Sequence, residues 1–277
     1  MIRFALFAVP LFLIAASANA QQVPNAPLGT TSADKAAESP ALRKMAPREE
    51  AEMNAEILMA RKEYEAAAKA YQTILIDDPH NSKILNLTGI AFQQIGDGQR
   101  AGHYYKLAAR YDKTDSNSLN NLGTLEFAER RYGKAIKYYK QSIAKGSALA
   151  TVYSNLGYAY CSNREYLKGM DAFGQALKLD PDVFDHKSGS GTVLQQRSSP
   201  DPAALHYTLA KSYARIADAE RAARYLKQAR DEGYKQYKNA EKDPDFAKVI
   251  KDPRVQAVLH LQPAYAAEPP PPSPATN

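Results

Sequence analysis

From about Arg48 onward, small and aromatic positions recur along the chain at a fixed step of 34 residues. In ILNLTGIAFQQIGDGQRAGHYYKLAARY the small sites are Gly89 and Ala101, and the aromatic site is Tyr105. One step onward lie Gly123, Ala135 and Tyr139, and the next step lands on Gly157, Gly169 and Phe173. The step backwards from Gly89 reaches Ala55, Ala67 and Tyr71, closing on Asp78-Pro79. A period in this range predicts a stacked array of helix pairs. Gly or Ala at the closest approach removes Cβ bulk and lets two helix axes come near. A Tyr or Phe one turn away fills the gap between neighbouring pairs. One pair cannot bury its apolar face alone, so the pairs must stack. Glu49, Glu50, Glu52 and Glu56 open the first helix, where acidic charge suits the positive helix end. The second helix is predicted over 64–76, stopping before Pro79, with later turns at Gly96-Asp97-Gly98 and Arg131-Tyr132.

These residues carry a resemblance to the tetratricopeptide repeat family, whose 34-residue unit spaces leucine, a small residue, an aromatic, alanine, a second aromatic and proline. Leu122-Gly123 and Leu156-Gly157 stand as the Leu-Gly pair, Phe92 and Tyr160 as the following aromatic, and Pro79 and Pro181 as the closing proline. Lys113 and Ser147 replace that proline in two units, and Glu126 replaces an aromatic. The resemblance covers roughly residues 48–233. It implies an all-α, right-handed α-solenoid of about five helix-turn-helix repeats with a C-terminal capping segment.

The chain divides accordingly. Residues 1–20 read as a secretion signal: Arg3 supplies the positive start, Phe4 to Ala16 the apolar run, and Ala18-Asn19-Ala20 the small-residue cleavage site. The apolar run is short for a bilayer span and is interrupted by Pro10. Export to a periplasmic or secreted location, in a bacterial envelope, is the expectation. Residues 21–47 hold four prolines and few large apolar side chains, the composition of a flexible leader. Four contiguous repeats are expected over 48–181. The register then breaks: Ala210 follows Gly157 by 53 residues, one period plus 19, so 182–202 reads as an inserted surface loop. A fifth repeat over 203–236 carries Leu209, Ala210, Tyr213, Ala222 and Ala229. A helical cap over 237–261 offers Phe246, Val249, Ile250, Val255 and Val258 to seal the last repeat. Residues 262–277 form a proline-rich tail of disordered character.

Composition narrows the function. With 44% apolar and 24% charged residues, the chain has material for a core and no long apolar stretch after the leader to serve as a membrane anchor. The formal charge of +6 falls to +5 once Arg3 leaves with the signal, which is consistent with an acidic partner without demanding one. Lys134, Lys137 and Lys140 lie on or near one helix face and read as a solvated face rather than a nucleic-acid site. The five histidines show no metal-ligand spacing, and no phosphate-binding glycine loop or nucleophile elbow is present. No catalytic residue, metal or cofactor is therefore indicated. Cys161, the single cysteine, reads as a small, partly buried side chain.

The resemblance implies that the first helix of each pair lines an inner, concave groove that receives peptides or folded partners. Carried over by register, that face takes in Asn86, Gln93, Asn120, Asn121, Thr124, Ser154, Asn155, Tyr158, Ser162, Lys211 and Arg215. A side-chain amide both donates and accepts, which suits Asn121 and Asn155 either to grip an extended backbone or to satisfy neighbouring helices. Glu49, Glu52 and Glu56 at one end and Lys211 and Arg215 at the other suggest a groove that orients the acidic part of a partner toward Lys211. The family's carboxylate clamp is not matched as a set. The expected function is a non-catalytic protein-protein interaction scaffold or adaptor of the cell envelope with a protein or peptide partner. An assembly factor for a secretion, pilus or outer-membrane machine is the alternative among binding proteins. A wall-polymer binder using exposed tyrosine such as Tyr158, or an enzyme accessory subunit, is the alternative from another class.

Overall fold

The computed structural model describes residues 46–185 and 199–260. The expected signal, nearly all of the expected leader, most of the expected 182–202 insert and the proline-rich tail lie outside the described residues. Within them the chain forms eleven α-helices and no strand. The helices are α1 (Pro47–Ala60), α2 (Tyr64–Asp77), α3 (Ser82–Ile95), α4 (Gly98–Tyr111), α5 (Ser116–Ala128), α6 (Tyr132–Ala144), α7 (Ala150–Ser162), α8 (Tyr166–Leu179), α9 (Pro202–Arg215), α10 (Ala219–Asp231) and α11 (Pro253–His260). Two short 3-10 turns, Tyr237–Glu241 and Pro244–Phe246, precede α11. The two helices of each pair pack on each other, and the second helix of α1/α2 and α3/α4 packs on the first helix of the next pair, as it does through α8 onto α9. The architecture is the stacked helix-pair array that the register predicts.

The small sites work by contact with the rings. A Cβ added at Gly89 would lie 2.5 Å from the Tyr105 ring, and one at Gly123 would lie 2.5 Å from Tyr139. At Gly157 it would clash with the edge of the Phe173 ring, and at Gly169 it would lie 2.5 Å from the Cys161 sulfur. Tyr71, Tyr105, Tyr139 and Phe173 are all buried, as are Ala55, Ala67, Ala101 and Ala135. Cys161 is thus a packing residue, and burial pushes its pKa up to about 12.

The turn inside each pair also keeps the register. Lys62, Gly96, Arg130 and Arg164, each 34 residues after the last, take a positive φ of 58–90°. Ala217 does the same in the fifth pair, displaced by the insert. Only the second pair places glycine at this left-handed site, which other residues enter at some cost. Where the closing proline is missing, local bonds replace it: Asp112 accepts from the Thr114 amide at 2.8 Å, and Asp115 caps α5 through the Ser118 amide at 3.0 Å. After α6 the left-handed Gly146 ends the helix instead.

The C-terminal end is held differently. Leu226 stands where the earlier pairs have a ring, and the aromatics move elsewhere. Tyr213 stacks on Tyr225 at 5.5 Å, Tyr207 on Tyr234 at 4.5 Å, and Phe184, from just after α8, meets Phe173 edge-on at 5.2 Å. The cap seals α9 and α10 with Phe246, Val249, Val255, Val258 and Leu259, all buried, and Ile250 partly buried against them. Arg230 is buried with them, donating to the Val258 carbonyl at 3.0 Å and to Asp231 at 2.8 Å.

Candidate partner-binding face

In α3 the buried positions are Ile84, Leu85, Thr88, Gly89, Ala91 and Phe92. At 100° per residue they leave Asn86, Ile90 and Gln93 toward the side turned from α4. Asn120 and Thr124 hold the same register on α5, one period later. The first helices stand side by side along this face, joined by amides. Asn121 Nδ2 donates to Asn86 Oδ1 at 3.0 Å, and Ser118 Oγ donates to the same oxygen at 3.0 Å. Asn155 Nδ2 donates to Asn120 Oδ1 at 3.1 Å. The two amide-to-amide bonds join residues 35 apart, because each runs diagonally from one first helix to the next.

The ring over each glycine also reaches this face. Tyr105 donates its hydroxyl to Gln93 Oε1 at 2.6 Å, and Tyr139 lies 3.4 Å from Thr124 Oγ1. Burial raises the pKa of Tyr105 well above the ordinary phenol range, so it remains a donor. Thr124 donates to the Asn120 carbonyl at 3.2 Å. The five residues of α3 and α5 carried over from the register are therefore together, half-buried, and mutually oriented.

The remaining candidates fare differently. Ser154, Asn155, Tyr158 and Ser162 on α7 are buried. Asn155 Oδ1 has no protein donor although it is shielded from solvent, so it is the amide with an open acceptor. Tyr158 is 1% exposed, edge-on to Phe173 at 5.2 Å and to Phe184 at 6.0 Å. This corrects its reading as an exposed tyrosine for polymer stacking: two rings cover both its approaches, and one belongs to the segment after α8 that breaks the period.

Lys211 and Arg215 also change meaning. Lys211 Nζ lies 2.8 Å from both Asp243 and Asp245, and Arg215 binds Asp245 at 2.6 Å and Asp171 at 3.2 Å. The cap supplies the acid that the sequence reading assigned to a partner, so the predicted positive end is neutralised from within. Burial acts to raise the Asp245 pKa, but hydrogen bonds from Lys211 and Arg215 outweigh it and hold the carboxyl below the ordinary aspartate value. The opposite end is likewise occupied: Lys83 reaches Glu52 at 3.1 Å and Glu56 at 3.8 Å, and Arg48 reaches Glu52 at 3.2 Å. A signal for the cap pairing existed, since Asp245 stands one 34-residue step after Lys211. What results is an uncharged amide-and-hydroxyl centre between two self-paired ionic ends. Among the described residues no group of His, Cys, Asp and Glu is placed to hold a metal, and no helix is long and apolar enough to cross a membrane.

Side-by-side helix pairs held by small residues under rings define an α-helical repeat protein. Residues 53–118 match the family model described as tetratricopeptide repeat, so that stretch is similar to repeats of that family. Proteins of this family are in general non-catalytic interaction modules. Among solved structures, the chain is similar to MamA from Desulfovibrio magneticus RS-1, with 20% identity, 70% of this chain and 99% of that one covered, and a TM-score of 0.49. PilF of Pseudomonas aeruginosa shows 16% identity over 72% of this chain and 94% of its own, at a TM-score of 0.46. YrrB, titled a TPR protein with an unusual peptide-binding site, shows 14% identity over 64% of this chain and 100% of its own, at 0.42. None of these likenesses assigns a ligand to this chain. No curated protein matches it.

Proposed function

We propose that this chain is a non-catalytic scaffold of the cell envelope that receives an extended segment of a partner protein along its first-helix face. The observation that carries the reading is the amide row Asn86, Asn121, Asn120 and Asn155, in which neighbouring helices orient one another's side chains. Bonding between them fixes which donors and acceptors turn outward, and preorganisation of this kind lowers the entropy lost on binding. An extended backbone offers alternating N–H and C=O groups, which paired donors and acceptors match without regard to sequence. The charges at both ends are already paired, so the ligand segment is expected to be uncharged and polar where it crosses α3, α5 and α7. Placement in the envelope rests on Arg3, the apolar run Phe4–Ala16 and Ala18-Asn19-Ala20; mass spectrometry of the exported chain should find Gln21 at its N-terminus.

The binding test uses peptides selected from a random library against the full-length chain. The variant carrying Asn86→Ala and Asn120→Ala should bind them at least ~10-fold more weakly, the loss of one or two well-made hydrogen bonds. Unchanged affinity in a variant that keeps its helical circular dichroism would remove the reading.

A further inference from the structure

The second helices carry a surface of another kind. Between residues 98 and 148 there are ten Lys and Arg against four Asp and Glu, an excess equal to the formal charge of the whole chain. Neither α4 nor α6 contains an acidic residue. In α4 the buried positions are Ala101, Tyr105 and Ala108, which turns Lys106 and Arg110 directly outward. In α6 they are Ala135, Tyr139 and Ser142, which turns Lys134, Lys137 and Lys140 outward. All five are exposed, and none makes an ion pair among the described residues. The two helices are neighbours: Tyr138 of α6 packs against the cluster that contains Ala101 and Tyr105 of α4. Lys106 and Lys140 are one period apart and hold the same place on their helices. The lysines of α6 are therefore one half of a wider face, which the single helix did not reveal.

We propose that this face holds the protein against an anionic phospholipid surface, leaving the first-helix face free for its partner. Three observations favour lipid over a nucleic acid or an acidic protein. Four of the five cations are lysines, compact hydrated charges without the fork that fixes carboxylate or phosphodiester geometry. The chain uses arginine where geometry is fixed, as at Arg215, Arg221 and Arg230. No exposed Phe or Tyr projects from the middle of the face, where the His103 ring already meets Tyr104 edge-on at 5.6 Å; the exposed Tyr111 at its end is stacked on His80 at 4.1 Å. Nor does either outer face offer a large aliphatic residue for insertion. Adsorption should therefore be electrostatic, reversible and sensitive to salt. The inference does not depend on the amide row.

The test is co-sedimentation of the full-length chain with vesicles of phosphatidylcholine alone or with about 30% phosphatidylglycerol, a surface that attracts each nearby basic residue. The N-terminal apolar stretch with Arg3 is common to every variant, so the readout is the difference in anionic preference between the variants and the unmodified chain. That preference should be at least ~30-fold at low salt and should fall steeply as salt rises. The variant with Lys134→Glu, Lys137→Glu and Lys140→Glu should lose it. Reversing Lys235, Lys238 and Lys242 to Glu makes the same change in net charge on exposed residues in and just before the cap and should largely keep it. Equal binding to both vesicles, or equal loss in both triple variants, would overturn the proposal. Tighter binding per phosphate to a random-sequence DNA duplex would overturn it in favour of nucleic acid.

Discussion

The second to fourth helix pairs and the C-terminal end both bury their interiors, but by different means. In pairs two to four a glycine is overlain by a ring: Gly89 by Tyr105, Gly123 by Tyr139 and Gly157 by Phe173. From α9 onward the glycine and its ring are gone, replaced by Ala210 and Leu226. Burial there comes from ring pairs such as Tyr207–Tyr234 and Tyr213–Tyr225, an ion-pair cluster and a cap. A repeating contact needs the same residues at each step, so it extends the array but cannot end it. An end needs residues that make no demand for another repeat, and those are not periodic.

The comparison is broken most severely at Phe246. Its ring is wholly buried and closes the array, so Phe246→Ala should cost about 3–5 kcal/mol in denaturant unfolding. A cost below that of an average surface change would mean that the cap is not part of the fold. In the regular part, Gly157→Ala should cost about 1–3 kcal/mol, because the added methyl meets the buried Phe173 ring. A neutral result would show that the ring has room to yield.

The ionic cluster sharpens the comparison through pH. Asp245 has a folded pKa below its unfolded value of about 4, so its contribution is present above that value and is lost as pH falls through the folded pKa. Asp245→Asn should destabilise by about 1–2 kcal/mol at neutral pH, and the gap to the unmodified chain should close on acidification below about pH 4. Thermal melts of both chains across that range would check it; a gap independent of pH would count against the pairing. The smallest effect has the opposite sign. Gly174 lies inside α8 with open space around a would-be Cβ, so Gly174→Ala should stabilise by about 0.5–1 kcal/mol. Two Gly→Ala changes within one helix pair would then move the melting temperature in opposite directions.

The periodic part of this architecture was legible in the sequence because close packing restricts residue type. Only Gly or Ala fits beneath a ring, so the 34-residue step could be read from such sites alone. The candidate face was legible only in part. Register put Asn86, Asn120 and Thr124 at matching heights on their helices, but it could not give the diagonal bonds, which depend on how far one helix is displaced along the next. Tyr158 was misread because the ring that covers it, Phe184, comes from outside the repeat. Lys211 and Arg215 looked free because the acids that hold them lie in the cap. Extending the same step beyond the fifth repeat would have found Asp245. Stepping back from Lys140 to Lys106 would likewise have shown the wider basic face.

The central claim is that a partner segment lies along the first helices. Amide hydrogen exchange of the full-length chain, with and without a selected peptide, tests it most directly. The account predicts slower exchange on binding within residues 82–95, 116–128 and 150–162, with residues 132–144 unchanged. Protection confined to the second helices, or spread evenly over the chain, would contradict it.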